Sequence, residues 1–133
     1  MKTLLFLPVL LMAVLFTGCT KKYEYVTPNQ TIFFDVDSGD WTRASDGKTY
    51  LVDLPIPELD GQVNQDFGIV VSISGDNGAT YEALPEVYGG YSYSYTHHVG
   101  HLTLERQIAD GSASGPQPEA NIRVKIVLVE SQQ

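Results

Sequence analysis

Three tyrosines at alternate positions are the side chains best spaced to form a binding surface. Tyr91, Tyr93 and Tyr95 have the same parity, and residues at i, i+2 and i+4 of a strand point to one face. Three rings in a row could stack on sugar rings, with Trp41 as a second platform. The structural alternative is that the tyrosines are half-buried with their hydroxyls in water, and that Trp41 belongs to a core.

Histidines follow the tyrosines, at His97, His98 and His101. With a nearby carboxylate His98 and His101 could hold a metal ion, and any of the three could act as the base of a small hydrolase. Their spacing is not typical of a known metal site, and the sequence has no nucleophile elbow, phosphate loop, HExxH or CxxC motif. We therefore predict no metal, no cofactor and no enzymatic activity, with a small hydrolase as the alternative.

An acidic segment at residues 35–46 superficially resembles a calcium loop. Its fifth position is Gly39 where a ligand should be, and its sixth is Asp40 where the loop needs glycine. The twelfth position is Asp46 and not glutamate. An acidic turn explains the segment better.

The N-terminus predicts export and lipidation. A basic Lys2, an apolar run over residues 4–16 and a small-residue exit form the three parts of a secretory signal. The run is too short for a membrane-spanning helix, which needs roughly 20 apolar residues. Residues 16–19 resemble a lipobox, in which a small residue precedes an obligatory cysteine. We therefore expect residues 1–18 to be a cleaved lipoprotein signal peptide and Cys19 to carry the lipid.

The cysteine count limits the chemistry of the mature protein. Cys19 is the single cysteine, so the chain has no partner for an internal disulfide. Acylation would also remove the one thiol. Each buried acyl methylene contributes about 0.8 kcal/mol, so two or more chains would hold the protein firmly on the membrane. The 115 residues left after removal of 18 from 133 suffice for one domain.

Charge excludes one class of partner. Without Lys2 the mature chain has 7 basic and 16 acidic side chains, a net charge of −9. Such a surface repels phosphate backbones, so we predict no nucleic-acid binding. It also gives no general attraction to anionic lipid, apart from Lys21 and Lys22 beside the anchor. Membrane attachment should therefore depend on the lipid on Cys19.

Residues 19–30 are polar, contain Pro28 and predict a tether after the lipidated cysteine. From Thr31 the pattern changes to short strands separated by turns, with Asp46-Gly47 as a tight hairpin and residues 75–78 as the strongest turn. The predicted strands cover residues 31–36, 41–44, 48–54, 67–74, 80–84, 91–99, 101–108 and 121–130. Residues 91–108 could also form one strand bent at Gly100, and residues 58–65 are too short and polar to assign.

Alternation within the strands predicts which side chains face inward. The inward sets are Tyr50, Val52 and Leu54; Leu102 and Leu104; and Ile122, Val124, Ile126 and Leu128. Residues 67–74 should be buried on both faces, and the parity changes near Gly100, as a turn or bulge would produce. Seven or eight strands without a convincing helix predict that residues 31–133 form an all-β domain, an antiparallel, immunoglobulin-like β-sandwich. A small barrel is the alternative.

A family resemblance rests on structural motifs between about Asp40 and Glu130. The chain is similar to small Bacteroidota lipoproteins and related collagen-like-protein end domains in the segments Leu54-Pro55, Pro57-Glu58-Leu59, 67–73, Leu84-Pro85, 91–95, Val99-Gly100 and 122–128. The resemblance implies the sandwich fold and a place in the bacterial envelope, at the outer membrane. Members are mostly of unknown function, and no matched residue brings a catalytic role. In that phylum, acidic residues after the lipid cysteine favour display on the cell surface. This chain has Lys21-Lys22 at that place. The periplasmic face and the surface face of the membrane therefore both remain possible locations.

These observations predict a non-catalytic envelope lipoprotein that acts as a binding or structural module. Its partner beyond the membrane would be a glycan or an envelope protein. The carbohydrate-binding alternative requires the rings of Trp41, Tyr91, Tyr93 and Tyr95 to be exposed and coplanar. Neither the ligand nor the oligomeric state follows from the sequence.

Overall fold

The computed structural model describes residues 28–112 and 114–131. The predicted signal peptide, Cys19 and most of the tether lie outside the described residues. Within the described ranges no helix has the length and apolarity needed to cross a membrane.

Two antiparallel sheets form the domain. The first has the order β1-β9-β4-β5, with bounds β1 Gln30–Val36, β4 Gly68–Ser74, β5 Glu82–Ala83 and β9 Ile122–Val129. The second has the order β2-β3-β8-β7-β6, with bounds β2 Thr42–Arg43, β3 Tyr50–Pro55, β6 Glu86–Tyr88, β7 Tyr91–His98 and β8 His101–Ile108. The predicted antiparallel β-sandwich is confirmed, and the barrel alternative is wrong because the strands divide into two separate sheets.

The core lies between the sheets and uses the predicted alternation. Val124, Ile126 and Leu128 of β9 are buried, and they form one cluster with Leu102 and Leu104 of β8. Val52 and Leu54 of β3 belong to the same cluster, with Tyr50 packed against it. The inward sets predicted for these three strands are therefore confirmed, except that Tyr50 and Ile122 are only partly buried.

Turn chemistry fixes the β2–β3 hairpin. Gly47 has a φ of +68°, a conformation that favours glycine. The carboxylate of Asp46 accepts hydrogen bonds from the backbone N–H of Lys48 and Thr49, at 2.8 and 2.9 Å, and from the hydroxyl of Thr49 at 2.5 Å. The Thr49 hydroxyl and these amides lower the pKa of Asp46 to about 2, because they stabilise its charged form. The predicted Asp-Gly hairpin is thus confirmed.

Gly100 also has a positive φ, +83°, and separates β7 from β8. Residues 91–108 are therefore two strands and not one bent strand.

The acidic segment at residues 35–46 forms a turn, as expected. It contains a 3-10 turn at Ser38–Asp40, in which the Asp37 N–H donates to the Asp40 carboxylate at 2.8 Å.

Three local assignments differ from the sequence predictions. A short helix, α1, covers Gly61–Asp66, and the carboxylate of Asp60 caps it by accepting from the N–H of Gln62 and Val63. Strand β6 does not follow from the sequence, because the few residues between Pro85 and Gly89-Gly90 are too short a run to show an alternating pattern. Residues 67–74 are buried on both faces only toward their end, since Ser72 and Ser74 on the outer face are buried whereas Val70 is 50% exposed there.

Candidate functional site

The predicted row of tyrosines faces the interior of the sandwich. Strand β7 pairs with β8 so that Tyr93 lies opposite Arg106 and Tyr95 lies opposite Leu104. Directly paired residues share one face of an antiparallel sheet, and Leu104 is part of the core. The turn at Gly100 therefore brings the odd-numbered residues of β7 to the same side as the even-numbered residues of β8. The exposed, coplanar platform does not form.

Tyr95 connects the two sheets. Its ring packs against the core, and its hydroxyl donates to the backbone carbonyl of Ile69 at 2.6 Å. Burial raises the pKa of Tyr95 because it disfavours the charged phenolate. A ring and hydroxyl held in this way have a structural function, so Tyr95 stands apart from the other three predicted binding residues.

Trp41, Tyr91 and Tyr93 do meet, but in a cleft and not on a surface, and Trp41 is a nearly buried member of the core, as the structural alternative predicted. The cleft has a volume of about 360 Å³ and lies at the end of the second sheet, against the loop between β8 and β9. Its walls comprise Trp41, Tyr91, Tyr93, Arg106, residues 116–120 and Ile122. The volume falls within the roughly 300–1,000 Å³ typical of small-molecule sites.

Two buried N–H groups in the cleft walls have no hydrogen-bond partner among the described residues. They are Nε1 of Trp41 and Nε of Arg106, and these residues are only 4% and 5% exposed. Leaving a buried donor unsatisfied costs about 1–3 kcal/mol, so nearly all such groups in folded proteins are paired. Both atoms are shielded from solvent, so a ligand in the cleft could accept from them only if neighbouring side chains moved.

The charge of Arg106 is also without a carboxylate partner. The salt bridges found in the described residues are His101–Asp53 and Arg123–Asp35, and neither includes Arg106. The Arg106 guanidinium carbon instead lies 3.8 Å from the centroid of the Tyr91 ring. A desolvated cation–π contact contributes about 2 kcal/mol, which offsets only part of the cost of burying a charge, several kcal/mol.

Gly115 holds the ring of Tyr91 in place. A Cβ atom at Gly115 would lie 3.0 Å from Cε1 of Tyr91 and 3.2 Å from Cγ1 of Ile108. A Cβ atom here would require the Tyr91 ring or Ile108 to shift by a few tenths of an ångström, so glycine favours the close approach of the loop. The loop thus packs against Tyr91, whose ring lies beside the guanidinium of Arg106.

Two acidic residues lie near Arg106, but neither forms a salt bridge with it. Glu119 lines the cleft, and Glu86 lies opposite Tyr93 on β6. Burial, together with the nearby charge of Glu82, raises the pKa of Glu86. The pKa of Tyr93 is also raised, mainly by burial, and the attraction of Arg106 opposes this shift. Arg106 is the one cationic residue among the described residues lining the cleft.

The histidines lie outside the cleft. His101 Nδ1 is 2.8 Å from Asp53 Oδ2 on the outer face of the second sheet, where the ring of His98 stacks on it with centroids 5.2 Å apart. His97 Nδ1 is 2.8 Å from the side-chain oxygen of Asn64. In residues 28–112 and 114–131 no three histidine, cysteine or acidic side chains are grouped to hold a metal ion. The absence of metal and of catalysis stays a prediction.

Sequence reasoning missed Arg106, although a signal for it existed. Arg106 continues the even-numbered alternation of Leu102 and Leu104, which was correctly predicted to face inward. A charged residue at the third inward position of a strand indicates either a buried ion pair or a binding site. Gly115 and Glu119 gave no comparable signal, because they belong to a loop without periodicity.

Comparison with known protein families, with curated proteins and with solved structures finds no match to this chain. The resemblance to small Bacteroidota lipoproteins therefore stays a prediction from the sequence.

Proposed function

We propose that the chain is a lipid-anchored, non-catalytic protein of the bacterial envelope that binds its ligand in the cleft of Trp41, Tyr91, Tyr93 and Arg106. The anchoring part rests on the tripartite signal and on the single cysteine, Cys19, at the position that a lipobox requires. The outer membrane is the proposed location, on its periplasmic or its surface face.

One observation carries the binding part. The cationic side chain of Arg106 lies nearly buried in the wall of one cleft, and no carboxylate in the described part of the chain forms a salt bridge with it. Aromatic walls and a few convergent polar groups are typical of ligand sites. The His101–Asp53 pair is a weaker candidate, because it is exposed and its acid also accepts from Thr103 at 3.4 Å.

Metabolic labelling tests the anchor. Cells that express the full chain are grown with labelled palmitate, and the purified protein is examined for label. We expect label on the wild type and none on Cys19→Ala, with the unlabelled variant retained as a larger, uncleaved precursor. Label in both proteins, or in neither, would contradict the lipobox assignment.

Fluorescence tests the cleft, because Trp41 is the single tryptophan of the chain and lines it. The mature protein in detergent is titrated with neutral and acidic oligosaccharides and with short peptides. We expect at least one ligand to change Trp41 emission in a saturable way, and Tyr93→Leu to weaken that binding. Tyr88→Leu is the matched control, since Tyr88 is exposed on β6 and lies outside the cleft. Absence of any saturable change would contradict ligand binding in the cleft.

A further inference from the structure

We propose that the cleft is selective for a carboxylate carried on a sugar ring, and that Arg106 is the residue that binds this carboxylate. The inference rests on the proposed function, because it assigns a ligand class to the same cleft. It goes beyond ligand binding alone, because it assigns the selectivity of the cleft to the carboxylate of the ligand and to Arg106.

Arg106 is the starting point. Its side chain is 5% exposed, carries a positive charge and has no salt bridge within residues 28–112 and 114–131. Buried charges in proteins are usually paired. A guanidinium presents a planar set of donors that matches a carboxylate with two parallel hydrogen bonds. A ligand carboxylate in the cleft would therefore supply the missing negative charge.

The other walls fit a sugar ring. The partly exposed ring of Tyr93 offers aromatic surface to the apolar C–H face of a pyranose. The carboxylate of Glu119 at the same cleft can accept from sugar hydroxyls. A uronic acid has all three features, namely a flat apolar face, hydroxyl groups and one carboxylate.

A peptide fits this cleft less well. Recognition of an extended peptide relies on main-chain hydrogen bonds from the site, and the loop that walls the cleft contains Pro116 and Pro118. Proline has no N–H to donate. A phosphate is also less favourable than a carboxylate, because its higher negative charge would be repelled more strongly by Glu119 and by the mature chain's net charge of −9.

A matched pair of ligands tests the carboxylate. The mature lipoprotein in detergent is titrated with trigalacturonate, triglucuronate and trimannuronate, and with the methyl ester of each, while Trp41 emission is recorded. Esterification keeps the ring and removes the charge. We expect at least one acid to bind about tenfold or more tightly than its ester, which corresponds to the loss of one charge-assisted hydrogen bond.

Variants test the arginine. Arg106→Met should abolish the preference for the acid over its ester, and Arg106→Lys should reduce it, because a lysine lacks the planar fork. Arg43→Met is the matched control: Arg43 also lies over a tyrosine ring, 5.9 Å from the centroid of Tyr50, but it is exposed and outside the cleft. Thermal unfolding followed by circular dichroism establishes that each variant is folded. If Arg106→Met does not fold, Arg106→Lys and the wild-type comparison of acid with ester still decide the question.

The possible outcomes separate the two proposals. Equal binding of acid and ester, or an acid preference that persists in a folded Arg106→Met protein, would overturn the carboxylate assignment and leave ligand binding in the cleft intact. Binding of a peptide carboxylate without binding of any uronate would overturn the sugar assignment. If no sugar or peptide changes Trp41 emission, the proposed binding function fails together with this inference.

Discussion

At the scale of single residues, Gly115 shows how closely the loop and the strands fit. We expect Gly115→Ala to destabilise the domain by roughly 1–3 kcal/mol, because the new methyl group would overlap with the Tyr91 ring and with Ile108. Displacement of Tyr91 should also loosen Arg106 and weaken ligand binding. Urea unfolding measures the stability, and Trp41 emission measures the binding.

Gly75→Ala is the control for this substitution. A Cβ atom at Gly75 would meet no heavy atom within 4 Å in the described structure, so we expect a much smaller change in stability and unchanged binding. If the two alanine variants were equally stable, the close contact at Gly115 would not constrain Tyr91.

Asp46 gives a prediction for acid stability. Its pKa is about 2 in the folded protein, against an ordinary value of 3.8. A carboxyl whose pKa is depressed by folding stabilises the protein above its unfolded pKa, and this contribution is lost as the pH falls through the folded pKa. We therefore expect thermal stability to fall between about pH 4 and pH 2.

Asp46→Asn isolates this contribution, since asparagine keeps the shape of the turn without the charge. The variant should be less stable than the wild type at pH 7, and the difference should shrink toward pH 2. Part of the acid dependence should persist, because hydrogen bonds also lower the pKa values of Asp35, Asp76 and Asp110. A constant difference in melting temperature from pH 7 to pH 2 would refute the assignment.

At the scale of elements, β9 offers a direct comparison of its two faces. Ile126 is fully buried between the sheets, whereas Val127 points to the outer face and is only partly covered. We expect Ile126→Ala to cost about 2–5 kcal/mol, from lost burial and the cavity left behind. Val127→Ala should cost clearly less. Denaturant unfolding of both variants measures this, and similar losses would contradict the assignment of the inner face.

Strong alternation made β3, β8 and β9 predictable, because each has one face in the core and one nearer to solvent. Strand β6 escaped prediction since three residues are too few to show a period, and its position is fixed by pairing with β7. The orientation of the tyrosines was also beyond local reasoning. Parity tells which residues share a face, but the pairing across Gly100 decides that this face is the interior.

The residues that line the cleft could also be predicted only in part from the sequence. Trp41, Tyr91 and Tyr93 were selected from the sequence for their aromatic rings, and they do line one cleft. The shape of the cleft also depends on Arg106 and on the loop that follows Gly115. Contacts between segments so far apart in the chain are set by the packing of the two sheets, which no local pattern encodes.

At the scale of the whole molecule, the chain's net charge of −8 should limit stability at low ionic strength. Only two salt bridges lie within the described residues, and one of them involves a histidine. We expect the melting temperature to rise by roughly a few degrees between 10 mM and 500 mM NaCl, as salt screens the repulsion. Scanning calorimetry would measure the change.

A variant with less charge provides the control. Glu58→Gln with Glu130→Gln removes two exposed carboxylates and should raise the melting temperature at 10 mM NaCl while reducing its dependence on salt. An unchanged salt dependence would mean that self-repulsion does not limit stability.

The place of β9 has a consequence for the biosynthesis of the protein. This strand is the last in the described residues, yet it lies between β1 and β4 and joins them in one sheet. Until the ribosome has released residues 122–129, β1 and β4 have no strand between them and the core lacks Val124, Ile126 and Leu128. The two-sheet core is therefore completed only after residues 122–129 have been synthesised.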